Sequence, residues 1–195
     1  MKRIAAFLFA IALVVTTSAH GAKWTVDKVH SKVGFAVKHL MISTVRGEFK
    51  SYDATIQFDP QKPENLSIQA TLDVNSISTE NEQRDGHLKS ADFFDAENHP
   101  TITFTSKKVE KTGDGKFKVT GDLMIRGTTK EVTFDLEGLN QMVEMGGVTK
   151  TAATATASIN RQDFGLSWSR ALETGGLVVD NTVMIVVEAE LDMQK

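Results

Sequence analysis

The feature that most constrains this chain is a period-two alternation of apolar and polar side chains, repeated from Val33 to Leu191. Successive side chains on a strand point to opposite faces, so such alternation marks a strand with one dry face and one wet face. Val33, Phe35, Val37 and His39 share one face, and Gly34, Ala36 and Lys38 take the other. Val45, Gly47 and Phe49 carry the apolar face on, and Ala54, Ile56 and Phe58 resume it with the phase moved from odd to even. An extra residue on one strand produces such a shift, which predicts a β-bulge near Ser51–Asp53. The same alternation runs through Ile68–Val74, opens again at Ile102 and Phe104, and returns in Phe117–Ile125, Val132–Leu136, Ala153–Ile159 and Val183–Leu191.

About eight strands result, separated by turn signals such as Thr112-Gly113-Asp114-Gly115, Arg126-Gly127 and Gly146-Gly147. Neighbouring strands with one dry face imply an all-β, antiparallel sheet, and a sheet of this size curls or closes to remove its edges. The expectation is a closed eight-stranded barrel, with a two-sheet sandwich as the alternative. Asn81–Phe94 and Asn160–Leu166 break the rhythm and read as one or two short helical segments or turns.

Residues 1–22 have another character. Lys2 and Arg3 precede an apolar run from Ile4 to Val15, and small residues follow. This is the three-part pattern of a secretory signal, and the run is too short for the roughly 20 apolar residues of a spanning helix. The chain is therefore expected to be exported and cleaved, with 23–195 as one barrel domain and no membrane-spanning segment in the mature part. In a bacterium the address is the periplasm. The formal net charge of −3 includes those two N-terminal cations. The acidic balance argues against nucleic acid and against adsorption to an anionic membrane. Cysteine is absent, which removes disulfides, thiolate nucleophiles and Cys-based zinc sites.

Eight strands enclose a bore that is either filled by side chains or holds one small ligand. Ala153, Ala155 and Ala157 leave one strand nearly bare, and Gly47, Ala54, Ala70, Gly121 and Ala189 thin others. An apolar cavity and a bore filled by phenylalanines from facing strands both fit those residues.

Catalytic patterns are weak. His30, His39, His87 and His99 show no metal-ligand spacing, and no metal or cofactor is expected. No GxSxG elbow occurs, and Ser31 beside His30 says nothing of triad geometry. Asp92 and Asp95 flank Phe93 and Phe94, where capping and pairing with Arg84 or Lys89 is the simpler reading than acid–base work. Asn160, Arg161 and Asp163 make either a turn held by an Arg–Asp pair or a polar mouth for a head group, with Phe164 as a plug.

The chain resembles the YceI-like, polyisoprenoid-binding family of bacterial periplasmic proteins. The likeness rests on Trp24–Ser31 (WTVDKVHS), Phe35–Leu40 (FAVKHL), Val45–Phe49 (VRGEF) and Ser76–Leu88 (SISTENEQRDGHL). It continues through Asp92–Asp95 (DFFD), His99–Ser106 (HPTITFTS), Gly121–Gly127 (GDLMIRG) and Asn160–Gly165 (NRQDFG). The resemblance implies a lipocalin-like barrel that holds a long-chain isoprenoid, quinone-type or other amphiphilic lipid, with no established catalysis, and it favours the hollow bore. On that footing Val33, Phe35, Val37, Phe49, Ile68, Phe104, Leu123, Ala155 and Phe164 are the expected wall. His39, Arg84, His87, Asn160 and Arg161 are the expected head-group contacts. An enzyme acting on a lipid head group and a stress-response structural protein with a filled barrel are the rival functions. The oligomeric state is left open, a homodimer included. One prediction follows from the N-terminus: intact-mass measurement of exported protein should give a chain starting between Ala19 and Trp24, and a chain still starting at Met1 would refute cleavage.

Overall fold

A computed structural model describes residues 21–173 and 175–194. The predicted export segment lies outside these residues except for Gly21 and Ala22. Ala22 is already the first residue of a strand, one position before the domain start read from the sequence.

Twelve strand segments occur in the order β1 (Ala22–Val26), β2 (Lys32–His39), β3 (Ser43–Phe49), β4 (Tyr52–Asp59), β5 (Lys62–Asp73), β6 (Ile77–Ser78), β7 (Thr101–Gly113), β8 (Lys116–Ile125), β9 (Thr128–Gly138), β10 (Val143–Met145), β11 (Val148–Asn160) and β12 (Val179–Met193). They form a closed eight-stranded antiparallel barrel, because four staves are interrupted rather than continuous. β1 and β2 are two halves of one stave, since both pair with β12. β3 and β4 make the second stave, and β5 with β6 the third. β9 and β10 are likewise two parts of one stave, since both pair with β11. Neighbouring staves follow one another in sequence, the barrel closes where β12 pairs with both halves of the first stave, and β11 pairs with β12 from Lys150↔Asp192 to Asn160↔Thr182.

The interruptions have local causes. The break between β3 and β4 falls at Lys50–Ser51 and shifts the inward phase from Phe49 to Tyr52. It lies at the edge of the predicted bulge, and Asp73 N–H to Ser51 O (2.9 Å) keeps the third stave attached across it. The break between β1 and β2 is an Asx-type turn, in which Asp27 Oδ1 accepts from Val29 N (3.0 Å). There Ser31 Oγ accepts from Glu190 N (2.9 Å) and so satisfies a ladder donor of β12. Of the segments that broke the alternation, Glu82–Lys89 is helix α1, N-capped by Asn81, and Arg161–Phe164 is a 3₁₀ turn, N-capped by Asn160 and closed by Gly165 at φ 78°.

Two apolar clusters seal the two ends. At one end Trp24 stacks on Phe58 with ring centroids 4.5 Å apart and donates to its carbonyl, with Phe117 and Leu139 packed beside them. At the other end Phe49, Val74, Ile77, Ala96, Ile125, Phe164 and Leu166 pack together. The segment from α1 to Ala96 belongs to this second end. Arg126 ties it down, donating from Nη2 to Ala91 O (2.8 Å) and from Nη1 to Gly165 O (2.7 Å).

Phe58 is fully buried in the first cluster. Phe58→Ala should therefore lower the unfolding free energy by about 3–5 kcal/mol in a urea titration. A loss below about 1 kcal/mol would mean that this end is not a packed seal.

Candidate functional site

Between the two seals runs an apolar cavity of about 260 Å³. One water needs roughly 10–15 Å³, so this space suits an extended chain better than isolated solvent. Along the regular part of β12 the wall runs from Val183 to Leu191, with Val179 beyond the register shift, and that regular part is about 20 Å of barrel axis once a strand tilt of roughly 40° is allowed for.

The cavity exists because large residues are missing on one side. Ala153, Ala155 and Ala189 line it, and Ala153↔Ala189 are direct cross-strand partners. Elsewhere bare positions are filled. A Cβ on Gly47 would meet the Phe35 ring at 2.5 Å, and one on Gly121 would meet the Phe104 ring at 2.7 Å. Phenylalanines of adjacent strands therefore cover these glycines, whereas the gap over the alanine strand, which the filled-bore reading expected phenylalanines to fill, stays open at Ala153 and Ala155.

All nine wall residues expected from the sequence border this cavity: Val33, Phe35, Val37, Phe49, Ile68, Phe104, Leu123, Ala155 and Phe164. The head-group set divides. Arg161 borders the cavity, while His39, Arg84, His87 and Asn160 are not part of its wall. Arg84 donates to Thr79, from Nε to Oγ1 (2.7 Å) and from Nη2 to the carbonyl (2.8 Å). His87 Nε2 lies 2.9 Å from Asp92 Oδ2, and its ring stands edge-on to Phe93 and Trp168 outside the bore. Asn160 is spent as a cap, accepting from Gln162 N. His39 lies at the end of β2, paired with Val179.

Two expected pairings also differ. Asp92 pairs with His87, and Asp95 accepts from Asn98, so neither joins Arg84 or Lys89. Arg161 forms no pair with Asp163. It is 3 % exposed and donates to the carbonyls of Leu166, Asp180 and Val179 and to Asn181 Oδ1. Burial lowers the pKa of this guanidinium, and an arginine stays charged regardless. It is the one strongly polar group against the far part of an otherwise apolar wall.

Sequence reasoning missed Leu88, Phe93 and Phe94, which reach the cavity from the α1 segment. The DFFD motif holds two of them, but its acids drew the attention that its aromatics deserved. It also missed the polar seam beside Ser31, Tyr52 and Asp53, where the first stave is broken and those three residues reach the wall. Tyr52 Oη donates to Ser31 O (3.0 Å), and Lys28 pairs with Asp53 across the break (2.7 Å).

Next to this seam the ligand atoms of Asp27, His30 and Glu190 lie within 4.8 Å of one another, a grouping of the kind that can hold a metal. The sequence treated His30 as an isolated turn histidine, so its convergence with two carboxylates is a correction. A cation already stands there: Lys150 Nζ is 3.5 Å from Asp27, 3.0 Å from Glu190 and 2.6 Å from Asp192. Hydrogen bonds to Asp192 and Glu190 raise its pKa, so it stays charged.

With a closed barrel and an apolar bore in place, the chain falls in the class of single-barrel proteins with an internal apolar cavity. The YceI-like domain family model matches residues 24–191, and the chain belongs to that family. A Staphylococcus aureus relative, UPF0312 protein SAS2572, is 39 % identical over 174 residues, covering 88 % of this chain and 98 % of the relative. The Campylobacter jejuni YCEI crystal structure is similar at 36 % identity and a TM-score of 0.71, over 88 % of this chain and 98 % of that one. Burkholderia cenocepacia BcnA is similar at 28 % identity and a TM-score of 0.73, over 85 % and 98 %. A polyisoprenoid binding domain from Saccharophagus degradans shares the fold at 14 % identity and a TM-score of 0.63, over 88 % and 98 %.

The seam carries a pH signature. The hydrogen bond from His30 holds Asp27 down at about 2, and the same bond raises His30 above 6.5. The Asp27 contribution is thus complete above its ordinary value of 3.8 and fades as pH falls through about 2. The His30 contribution is complete below 6.5 and is lost as pH rises through its elevated folded value. An NMR titration should place the His30 midpoint above 6.5 and move it down in Asp27→Asn. A wild-type midpoint at or below 6.5 would break the pairing.

Proposed function

We propose that this protein binds a long-chain amphiphile non-covalently in its bore and sequesters or carries it in the periplasm, with a polyisoprenoid or quinone-type lipid as the ligand. The observation that carries the reading is the cavity of about 260 Å³ walled almost wholly by apolar side chains. Hydrocarbon is the chemistry such a wall accepts, and burial supplies about 0.8 kcal/mol per CH₂, offset in part by ordering a flexible chain. The Saccharophagus degradans domain of the same fold is described as polyisoprenoid-binding, which agrees in ligand shape.

Arg161 is the head-group contact in this reading. The role has moved inward from the wider set named on the sequence, because Arg84, His87 and Asn160 are engaged elsewhere and His39 is not part of the wall. Catalysis has no part in it, and neither does a resident metal: the ammonium of Lys150 already stands against the two carboxylates, Asp27 and Glu190, that would ligate one.

Mass spectrometry of organic extracts of protein purified from its own compartment tests the reading directly, and a lipid-free extract would count against it. Ala155→Trp tests the location. Ala155 borders the void, opposite Val187 and Leu136. Overfilling a packed core costs about 1–3 kcal/mol. Here the indole should enter open space, leaving the melt near that of the wild type while polyprenyl binding weakens sharply. Thr156→Trp, on the opposite face of the strand, should leave binding unchanged. A collapsed Ala155→Trp would mean a full bore, and normal binding by a stable Ala155→Trp would place the lipid elsewhere.

A further inference from the structure

The turn between β2 and β3 presents three consecutive apolar side chains to solvent: Leu40, Met41 and Ile42 are 37 %, 51 % and 82 % exposed. Leu40 and Met41 have φ of 52° and 62°, a backbone region that penalises any side chain with a Cβ. The comparable turns Arg126–Gly127 and Gly146–Gly147 use glycine at one or both left-handed positions. Among the described residues, Leu40–Met41 is the one place where two successive non-glycine residues adopt it. Neither packing nor backbone preference explains three large apolar groups there.

The surroundings point to what covers them. Lys28, Lys32, Lys38 and Arg46 lie between Asp27 and Glu48, with no carboxylate among them, in a chain of net charge −3. Lys28 and Lys32 are paired with acids. Among the described residues Lys38 and Arg46 enter no ion pair, nor does Arg170, whose carbonyl accepts from Val178 N beside the turn. Glu173 is the one acid in the adjoining turn that packs on Met41. An apolar tip flanked by the unpaired Lys38 and Arg170 complements an interface of hydrocarbon beneath phosphate, whereas Arg46 stands farther along β3 in a groove shared with Glu48, Glu80 and Glu188. The whole-chain acidity that argued against an anionic membrane does not hold locally. The tip also adjoins the bore: Val37 and Val179 are wall residues, and Val179 pairs with His39 next to Leu40.

We propose that the Leu40–Ile42 turn docks this protein on a phospholipid bilayer, with Met41 and Ile42 entering the interface and Lys38 and Arg170 meeting lipid phosphates. This deepens the lipid-binding reading and rests on it, since docking would set the cavity next to the source of its ligand. The exposed pair Val143 and Met145 supplies an internal control. It stands at the opposite end of the barrel, where Val143 pairs with Lys150 and Met145 with Val148, away from Lys38 and Arg170.

The test is flotation of the mature protein with vesicles of phosphatidylethanolamine containing a quarter phosphatidylglycerol, beside vesicles of phosphatidylcholine alone. The wild type should float with the first and less with the second. Met41→Ser/Ile42→Ser should lose about tenfold or more of the bound fraction, with an unchanged melt. Val143→Ser/Met145→Ser should float like the wild type. Loss of flotation in the second pair alone, equal flotation of both pairs, or no flotation of the wild type would overturn the proposal. So would a wild-type dimer by light scattering that becomes monomeric in Met41→Ser/Ile42→Ser, which would make the turn an interface between copies. Lipid content after loading from detergent separates the two claims: a wild type that floats but never takes up lipid refutes the bore and not the turn.

Discussion

The ladder between β11 and β12 is the constraint on which the rest of the structure depends. It joins the seventh stave to the eighth over Lys150–Asn160, and β12 in turn holds both halves of the broken first stave. Without it the meander would be an open sheet with two long edges, which soluble proteins avoid. With it every inward side chain faces a shared axis, so the sizes of a few residues decide whether the bore is solid. Ala153 and Ala155 lie on this ladder. The ladder that keeps the sheet continuous therefore also hollows the bore.

A void in a protein interior is a cost. The side chains that line it lack partner atoms on one side and forgo those dispersion contacts. The barrel meets this cost at its ends and seams. The Trp24–Phe58 stack and the cluster around Phe164 pack the two ends, and apart from Arg161 the polar groups against the wall stand beside the break in the first stave. Ser31, Asp27 and Lys150 mend the broken first stave with side-chain hydrogen bonds and ion pairs. A bound chain would restore the missing dispersion contacts to the alanine wall.

Much of this was legible in the sequence because strand alternation is local. The period-two pattern marked the staves, the odd-to-even shift marked the break after Phe49, and the alanine run marked the thin wall. What failed to show was non-local. His30 meets Glu190 and Lys150 only because β1, β12 and β11 are neighbours in a closed barrel, and no spacing in the sequence encodes that. Arg161 is close to Asp163 in sequence, which suggested a pair, but the 3₁₀ turn aims it at the start of β12 instead. Arg84 and His87 were chosen for their charge in a segment that broke the rhythm. The segment does reach the bore, but through its apolar residues Leu88, Phe93 and Phe94.

Arg161 shows how one residue can satisfy both readings of its motif. A buried guanidinium without a carboxylate partner is tolerated when its donors are used, and backbone carbonyls of Leu166, Val179 and Asp180 use most of them. Those contacts clamp the residue-166 loop to the start of β12. Carbonyls satisfy hydrogen bonds and leave the net charge in place, so the wall keeps a positive end where Arg161 borders the void. The same side chain therefore holds the seal and sets the polarity of the space behind it. Hydrocarbon along the alanine wall, with an oxygen-bearing head toward Arg161, is the orientation that matches both apolar burial and charge.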